Sequence, residues 1–344
     1  MALDHDSLRT HLGDALTGYL AGRPRDMPAH ATDPNEEAFA RYRLVPRLLG
    51  GQTDIDLSVS FAGMDIAAPI IVGAFAGDRV FASEGILPIA RATAALGLPL
   101  MVSEECLTPL AEITAINPRV LLQMRAAGSR ERTEAIIAHA AEAGAHGLLF
   151  TALAPVHPRP GFFPGGFDIG AESARQGHAT IASIAGSDPV PAFPAWDWSM
   201  LADMVSIARQ AGLVTVLKGV LAPEDAPRAA VAGCAAAMVS NLGVRNLYRW
   251  APSIDRLAPV RQKAGALPLL LDGGVRNGGD IVVACALGAA AVALVRPVVA
   301  ALVTGGEASV HALLRGLIDD VTTITCWMGV DAPSALTPDQ VVRL

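Results

Sequence analysis

Three segments late in the chain place glycines and charged side chains directly after apolar runs. They are 217–219 (LKG), 239–245 (VSNLGVR) and 272–278 (DGGVRNG). In the third, the glycines allow backbone amides to approach a phosphate closely, and Arg276 adds a positive charge. A second arginine, Arg296, follows another apolar run in the segment 295–297 (VRP). If these two runs are neighbouring strands, the spacing predicts a phosphate site between their ends.

Lys218 ends the first of these apolar runs. A lysine at the end of a buried strand can neutralise an electron-rich ring or form a Schiff base with a carbonyl compound. The alternative is a surface lysine whose aliphatic part packs on apolar neighbours while its amine reaches water. The residue types alone leave both interpretations open.

The elements that must position these residues alternate between strand and helix from residue 67 onward. Eight short apolar runs are separated by helical stretches: 70–73, 98–102, 120–123, 148–151, 214–218, 237–240, 267–271 and 291–295. The runs are continuously apolar, which is typical of parallel strands buried on both faces. Eight such units predict an α/β fold, a closed (β/α)8 barrel of the TIM type. A doubly wound sheet is the alternative.

Two regions do not follow this repeat. Residues 1–66 form an N-terminal cap segment with a helix near 7–20 and an alternating, exposed strand at 54–61. Residues 152–198 form a long insertion after the fourth strand, with many Gly and Pro residues and little periodicity. Because loops of this length in compact domains usually serve a function, we expect a lid over the active site. We expect residues 1–344 to form one domain.

Composition narrows the class of protein. The 344 residues are 52% hydrophobic and 17% charged, with a net charge of -7, as in a core-rich globular chain. This acidity argues against a nucleic-acid partner, and the apolar stretches do not predict a membrane span. The four cysteines have no CxxC spacing, so neither a metal site nor a disulfide framework is predicted. With no visible signal peptide and with free thiols, we expect a protein of the cytoplasm.

With these motifs, the chain resembles the FMN-dependent α-hydroxy acid dehydrogenase/oxidase family, the group of glycolate oxidase and lactate oxidase. The signature of that family is a Lys-Gly strand end, then Ser-Asn-His-Gly-Gly-Arg, Asp-Gly-Gly-x-Arg and Gly-Arg-Pro. The resemblance extends over residues 37–330 and implies FMN as the cofactor and a TIM barrel as the fold. Because such proteins are often tetramers or larger, it also implies a homo-oligomer, for which we expect a tetramer.

The resemblance also implies where the cofactor binds. Against the flavin ring and its edge it places Gly73, Ala74, Ser103, Gln123 and Thr151. Beside the N1–C2 edge it places Lys218, whose charge would stabilise the reduced, anionic flavin. Along the ribityl chain and the phosphate it places Ser240, Asp272, Gly274, Arg276, Val295 and Arg296. Val295 stands where the family has glycine, and a backbone amide contact survives that change.

The substrate side departs from the family. Leu242 stands at the position of the histidine base, and leucine cannot accept a proton. Leu153 stands where an aspartate supports that histidine, so both members of the pair are replaced together. Arg125 replaces a tyrosine, whereas Arg245 is retained and is expected to bind an anionic or carbonyl group of a small-molecule substrate. The resemblance thus implies a divergent member that does not oxidise 2-hydroxy acids in the usual way.

Other residues could take over the missing proton transfer. His157 and Arg159 lie at the start of the long insertion, and Glu105 follows the second strand. We name these three, with Arg245, as candidate catalytic residues. The alternatives are that His157 is a surface histidine and that Glu105 or its neighbour Glu104 is solvated or caps a helix. Tyr19 is a weak counterpart of an N-terminal tyrosine of the family.

Three functions are open at this point. The first is an FMN-dependent oxidoreductase that takes hydride from a small organic molecule, such as an amine or an amino-acid-derived compound. Oxygen or another acceptor would reoxidise the flavin, in a biosynthetic role. The second is an FMN-dependent isomerase resembling type 2 isopentenyl diphosphate isomerase, although the Gln-Glu pair that binds magnesium there is absent. The third is a flavin-binding protein without catalysis, and the retained Arg245 argues against it.

Overall fold

The computed structural model describes residues 4–156, 163–181, 183 and 194–344. The N-terminal segment contains two helices, α1 (His5–Ala21) and α2 (Pro34–Phe39). Strand β1 (Tyr42–Leu44) follows them, and then an antiparallel hairpin of β2 (Val59–Phe61) and β3 (Met64–Ile66). The helix predicted at 7–20 is therefore confirmed, with two further residues at its start and one at its end.

Eight parallel strands then close into a barrel in the order of the chain. They are β4 (Ile70–Val72), β5 (Leu100–Ser103), β6 (Val120–Arg125), β7 (Gly147–Thr151), β8 (Val214–Val220), β9 (Ala236–Val239), β10 (Leu269–Asp272) and β11 (Ala291–Leu294). The pairing of β11 with β4 closes the ring. The predicted (β/α)8 barrel is confirmed, each strand lies within two residues of its predicted bounds, and the doubly wound alternative is wrong.

Helices connect the strands and surround the barrel. They are α3 (Asp78–Phe81), α4 (Leu87–Ala95), α5 (Leu110–Ile116), α6 (Arg130–Glu142), α7 (Ile169–Arg175), α8 (Trp198–Gln210), α9 (Asp225–Val231), α10 (Ser253–Lys263), α11 (Gly278–Ala286) and α12 (Arg296–Trp327). A last strand, β12 (Val341–Arg343), pairs antiparallel with β1 and ties the C-terminal end to the N-terminal segment.

Alternate residues of each strand face opposite sides, and both sides are buried. In β4, Ile71 packs into the barrel interior with Met101 and Leu149. Its neighbours Ile70 and Val72 pack outward, in the layer between the strands and the helices. This two-sided burial is the physical reason that the runs are continuously apolar, because no face of these strands meets water.

The β2–β3 hairpin closes the N-terminal end of the barrel. Phe61, Met64 and Ile66 are almost fully buried and belong to the same cluster as the interior residues. The ring of His146, which precedes β7, hydrogen-bonds through Nε2 to the Ala62 carbonyl at 2.8 Å. The exposed strand predicted at 54–61 is thus wrong in extent and environment. Alternation shows that one face is apolar, but it does not show that this face plugs a barrel.

The insertion after β7 contains regular structure within its described part. Helix α7 begins after Asp168, whose side chain accepts a hydrogen bond from the Ala171 amide and so caps the helix. Ile169 packs with Leu20 of α1 and Phe81 of α3 in a cluster at the C-terminal end of the barrel. The insertion predicted after the fourth strand is confirmed in position. Helix α7 within it was not predicted, because its seven residues are too few to show a helical period in the sequence.

Helix α12 is long and apolar enough to span a membrane by length and composition alone. Its backbone leaves helical geometry at Gly305 and Gly306, so it consists of two shorter helices. It packs against α4 and α11, as the eighth helix of a barrel does. We therefore interpret α12 as part of the barrel's outer layer.

Candidate active site

A cavity of about 220 Å³ lies over the C-terminal ends of the barrel strands. Its wall is formed by residues at or just after the ends of the strands and by Tyr19 and Leu20 of α1. Parallel strands bring their carboxyl ends together at one rim, and barrel enzymes keep their chemistry there. The chain therefore gathers side chains that are more than 200 positions apart in sequence, such as Ala74 and Arg296.

Most of the sequence-derived candidates line this cavity. They are Ala74, Ser103, Glu105, Gln123, Thr151, Lys218, Arg245, Asp272, Gly274, Arg276, Val295 and Arg296. Gly73 and Ser240 lie directly behind the wall. A Cβ on Gly73 would come within 2.5 Å of a Val295 methyl group, and the Ser240 hydroxyl accepts a hydrogen bond from the Leu242 amide at 3.1 Å. His157 and Arg159 lie outside the described residues.

Lys218 and Asp272 form an ion pair across neighbouring walls of the cavity. The Lys218 Nζ bonds to the Asp272 Oδ2 and also contacts the Met238 sulfur at 3.5 Å. The strand shifts register between Lys218 and Val220, at Gly219, whose φ of +103° favours glycine. The second oxygen of Asp272, Oδ1, is buried and has no hydrogen-bond partner. A bound group with a hydroxyl donor would satisfy it, as the ribityl chain of FMN does by its chemistry.

Polar side chains from β5, β6 and β7 line the opposite side. The Gln123 Nε2 donates a hydrogen bond to the Thr151 hydroxyl at 3.0 Å. Ser103 accepts one from the Glu105 amide at 3.1 Å. Donors and acceptors on three adjacent strand ends can match the polar edge of a flat heterocycle.

The glycine turn after β10 and the start of α12 form the positively charged end of the cavity. Gly273 and Gly274 have φ of +92° and +85°, which a residue with a side chain rarely adopts. Arg276 Nη2 lies 2.7 Å from the Glu36 Oε1, and Arg296 Nη1 lies 2.6 Å from the Asp33 Oδ2. Two guanidinium groups beside a glycine turn are a donor set that suits a phosphate.

A second cluster of charges, on Tyr19, Glu105, Arg125 and Arg245, faces the other part of the cavity. The Arg245 guanidinium stacks over the Tyr19 ring at 4.5 Å from its centroid. Arg125 Nη2 lies 3.4 Å from the Glu105 Oε2. Burial raises the pKa of the Tyr19 phenol, against the charge of Arg245, and burial lowers the pKa of Arg245. The site thus offers a neutral phenol and a desolvated guanidinium to a ligand.

Glu104, next to Glu105, has a different environment. Its side chain is 1% exposed and pairs with Arg132 behind the cavity wall. Its Oε1 accepts a hydrogen bond from the Arg125 amide at 2.8 Å. Burial raises the pKa of Glu104, and the charge of Arg132 opposes this effect. Glu104 therefore holds the backbone that carries Arg125, whereas Glu105 faces the cavity.

Leu242 lines the cavity at the start of a 3-10 turn, Leu242–Val244. Among the lining residues in the described part of the chain, none is a histidine. Leu153 packs against the backbone of β8, since a Cβ on Gly219 would come within 2.5 Å of the Leu153 Cβ. Leu242 therefore presents an apolar side chain to the cavity, and Leu153 packs behind its lining residues.

Sequence reasoning missed several residues of the site. Phe75 and Phe81 line the cavity, and Asp33 and Glu36 of the α2 segment hold its arginines. The pattern at 33–36 (DPNE) indicates a helix start with Asp33 as its cap. It does not indicate that this helix docks on the turn after β10, because the two are more than 230 residues apart.

Comparison with known proteins places this geometry in context. A family model described as FMN-dependent dehydrogenase matches residues 9–343. The chain is 33% identical to 4-hydroxymandelate oxidase of Amycolatopsis orientalis over 302 residues, which is 83% of each protein. It is 30% identical to glycolate oxidase 1 of Zea mays over 323 residues, 90% of this chain and 86% of that protein.

Solved structures give the same result. The chain is similar to mandelate oxidase with (S)-2-phenylpropionate, with a TM-score of 0.82, 30% identity, and coverage of 99% of this chain and 96% of the other. It is also similar to a mandelate oxidase mutant with the C4a-OH-FMN adduct, with a TM-score of 0.79, 30% identity and 96% coverage of both chains.

Proposed function

Because the chain belongs to the FMN-dependent dehydrogenase family, it is an FMN-dependent oxidoreductase of a small organic substrate, and we propose that it works without the histidine base of its relatives. The observation that carries the proposal is Leu242, which lines the cavity beside Arg245 where the resemblance expects that histidine. Leu153, at the position of the supporting aspartate, is equally unable to carry a proton.

The donor set of the cavity fits FMN, which, when bound, accepts a hydride and passes electrons to a second acceptor. We propose that the unsatisfied Asp272 Oδ1 takes a ribityl hydroxyl and that the Lys218 ammonium stabilises negative charge at the ring. The phosphate would lie at Gly274, Arg276 and Arg296. The ring would lie against Gly73, Ala74, Ser103, Gln123 and Thr151, with Ser240 and Val295 supporting the walls.

We propose that Arg245 anchors an anionic or carbonyl group of the substrate, with Tyr19 beneath it. The guanidinium of the half-buried Arg245 is already stacked on a ring, so it loses little freedom when a ligand binds. Leu242 and Phe75 give the cavity apolar walls that exclude water from the reacting carbon. Among the residues that the structure describes, none that lines the site favours the isomerase or the protein without catalysis, and neither is retained.

Finer points of the function belong to the same proposal. Reoxidation by oxygen, a biosynthetic role, a cytoplasmic location and a tetramer remain expectations from the sequence. So do a single domain over 1–344, a lid formed by 152–198, and catalytic roles for Glu105, His157 and Arg159.

The experiment that tests the proposal is a titration of the purified protein with FMN, followed by anaerobic mixing with candidate substrates. We expect one FMN per chain, and bleaching of its visible absorbance by some amines or amino acids. Mandelate, glycolate and lactate should bleach it slowly, because Leu242 cannot take the hydroxyl proton. Protein that stays colourless with added FMN, or rapid bleaching by these 2-hydroxy acids, would contradict the proposal.

A further inference from the structure

The substrate side of the cavity carries charges of both signs. Arg245 and Arg125 supply two guanidinium groups, and Glu105 supplies a carboxylate that also lines the cavity. The other lining carboxylate, on Asp272, is bound to Lys218. Glu105 is therefore the acidic group that the described lining leaves for a substrate.

Glu105 is weakly engaged by its protein partner. Its contact with Arg125 is 3.4 Å long, at the outer limit of a hydrogen bond. Arg125 is held elsewhere, because its amide donates to Glu104 and its Nη1 lies 3.4 Å from the Ala154 carbonyl. The Nε of Arg125 is buried without a partner. The pair is thus loose enough for a ligand cation to approach the Glu105 carboxylate.

A 2-hydroxy acid matches this arrangement poorly. Its carboxylate can pair with Arg245, but its neutral hydroxyl leaves the Glu105 charge without a cation from the substrate. An α-amino acid carries a carboxylate and an ammonium on the same carbon, so that both charges find partners of opposite sign. Complementary charges in a cavity of low dielectric discriminate strongly between ligands of the same shape.

We propose that this site binds α-amino acids, with the substrate carboxylate at Arg245 and the ammonium at Glu105. The inference rests on the proposed function and names its substrate class. Oxidation of the amine would convert the amino acid and water to a 2-oxo acid and ammonium, while FMN takes up a hydride and a proton. The ammonium would first give a proton to the Glu105 carboxylate, and the freed lone pair would form the C=N bond as the hydride leaves the α-carbon, so no base has to remove a hydroxyl proton.

Three probes of identical carbon skeleton test the binding without turnover. They are 2-amino-2-phenylpropionate, 2-hydroxy-2-phenylpropionate and 2-phenylpropionate, and the first two lack the hydrogen that would be transferred. Their dissociation constants are measured on the FMN-loaded protein, by calorimetry and by the shift of the flavin absorbance. We expect the amino compound to bind about tenfold more tightly than the hydroxy compound, because it gains a charge-assisted contact.

Two variants identify the group responsible. Glu105→Gln keeps the shape of the side chain but removes its charge. In this variant, the dissociation constant of the amino compound should rise about tenfold, while the dissociation constants of the other two probes should stay within about twofold of the wild type. Glu105→Asp keeps the charge and should keep the order of the probes. If Glu105→Gln does not fold, Glu105→Asp and the order of the probes on the wild type decide.

Tighter binding of the hydroxy compound by the wild type, or an equal loss for all three probes in Glu105→Gln, overturns the inference. In either case, the proposed function stands if the protein still binds FMN and another substrate bleaches it. A protein that does not bind FMN contradicts the proposed function itself, whichever probe binds.

Discussion

At the scale of single residues, the turn at 242–244 has an unusual backbone conformation. Leu242, Gly243 and Val244 have φ of +55°, +60° and +53°. A left-handed conformation is costly for leucine and more so for the β-branched valine, and it persists where the surrounding structure imposes it. The backbone of this turn therefore holds Leu242 at the wall of the cavity.

On the proposed function, a base introduced at residue 242 of this turn should be able to act in the cavity. In the double variant Leu242→His with Leu153→Asp, we expect mandelate to bleach the flavin about 100-fold faster, because a positioned base contributes at least that factor. Stopped-flow absorbance under anaerobic conditions measures the rate.

Leu242→Met is the matched control, since it changes the side chain without adding a base, and its rate should stay near that of the wild type. A double variant that binds FMN but shows no increase would mean that residue 242 does not face the reacting carbon.

A buried ion pair behind the wall is the second residue-scale feature. Arg132→Met leaves the Glu104 carboxylate buried without its cation, and we expect the free energy of unfolding to fall by about 3 kcal/mol. Adding Glu104→Leu should recover most of that loss, because the unpaired charge is then gone.

Urea denaturation of the single and double variants measures both values. A double variant no more stable than Arg132→Met would show that the cost came from packing rather than from charge.

At the scale of elements, the short helix α2 and its cap pair with the arginines at the proposed phosphate end of the site. Its first turn carries Glu36, and its cap is Asp33, so one element supplies carboxylates to both Arg276 and Arg296. Helix α1 ends beside them at Gly22, where a Cβ would come within 2.7 Å of Arg245 Nη1 and 3.2 Å of Arg296 Nη2. The N-terminal segment is thus a wall of the site.

The carboxylate of Glu36 should weaken the hold on a phosphate. Glu36→Gln keeps an oxygen acceptor for Arg276 but removes a negative charge, so we expect FMN to bind about threefold more tightly. The effect is modest because Glu36 is partly exposed to solvent. Quenching of flavin fluorescence gives the dissociation constant.

Riboflavin, which lacks the phosphate, is the control ligand and should bind both proteins equally. Weaker FMN binding by Glu36→Gln would show that the carboxylate acts chiefly by orienting Arg276.

At the scale of elements, part of the fold and of the candidate site could be predicted from the sequence alone. The eight strands were predictable because their residues are apolar on both faces, and the strand-end residues followed from them. The docking of α2 and the plug formed by Phe61 and Met64 were not predictable. These contacts join segments that are distant in sequence, and their short patterns look like ordinary surface elements. The pairing of Arg125 with Glu105 across two strand ends was likewise invisible.

At the scale of the whole molecule, exposed apolar side chains cluster at one place on the surface. Leu48 and Leu49 are almost wholly exposed, as is most of Trp327. The amide of Arg47 hydrogen-bonds to the Met328 carbonyl at 3.2 Å, which brings these positions together. Such a patch favours association between copies.

We therefore expect association between copies of the chain to depend on this surface. Leu48→Ser with Leu49→Ser should lower the mass measured by light scattering after size exclusion, while FMN binding is unchanged. Val231→Ser is the control, because Val231 is also exposed but lies on α9. A wild-type protein that elutes as a monomer would contradict the expectation.

The β2–β3 hairpin beneath the barrel determines from which end a ligand would enter the cavity. With Phe61, Met64 and Ile66 closing the N-terminal end of the barrel, the residues that the structure describes leave the C-terminal rim as the end from which FMN and substrate would enter. We therefore expect FMN to bind before the substrate, and we expect a bound substrate to slow the dissociation of FMN.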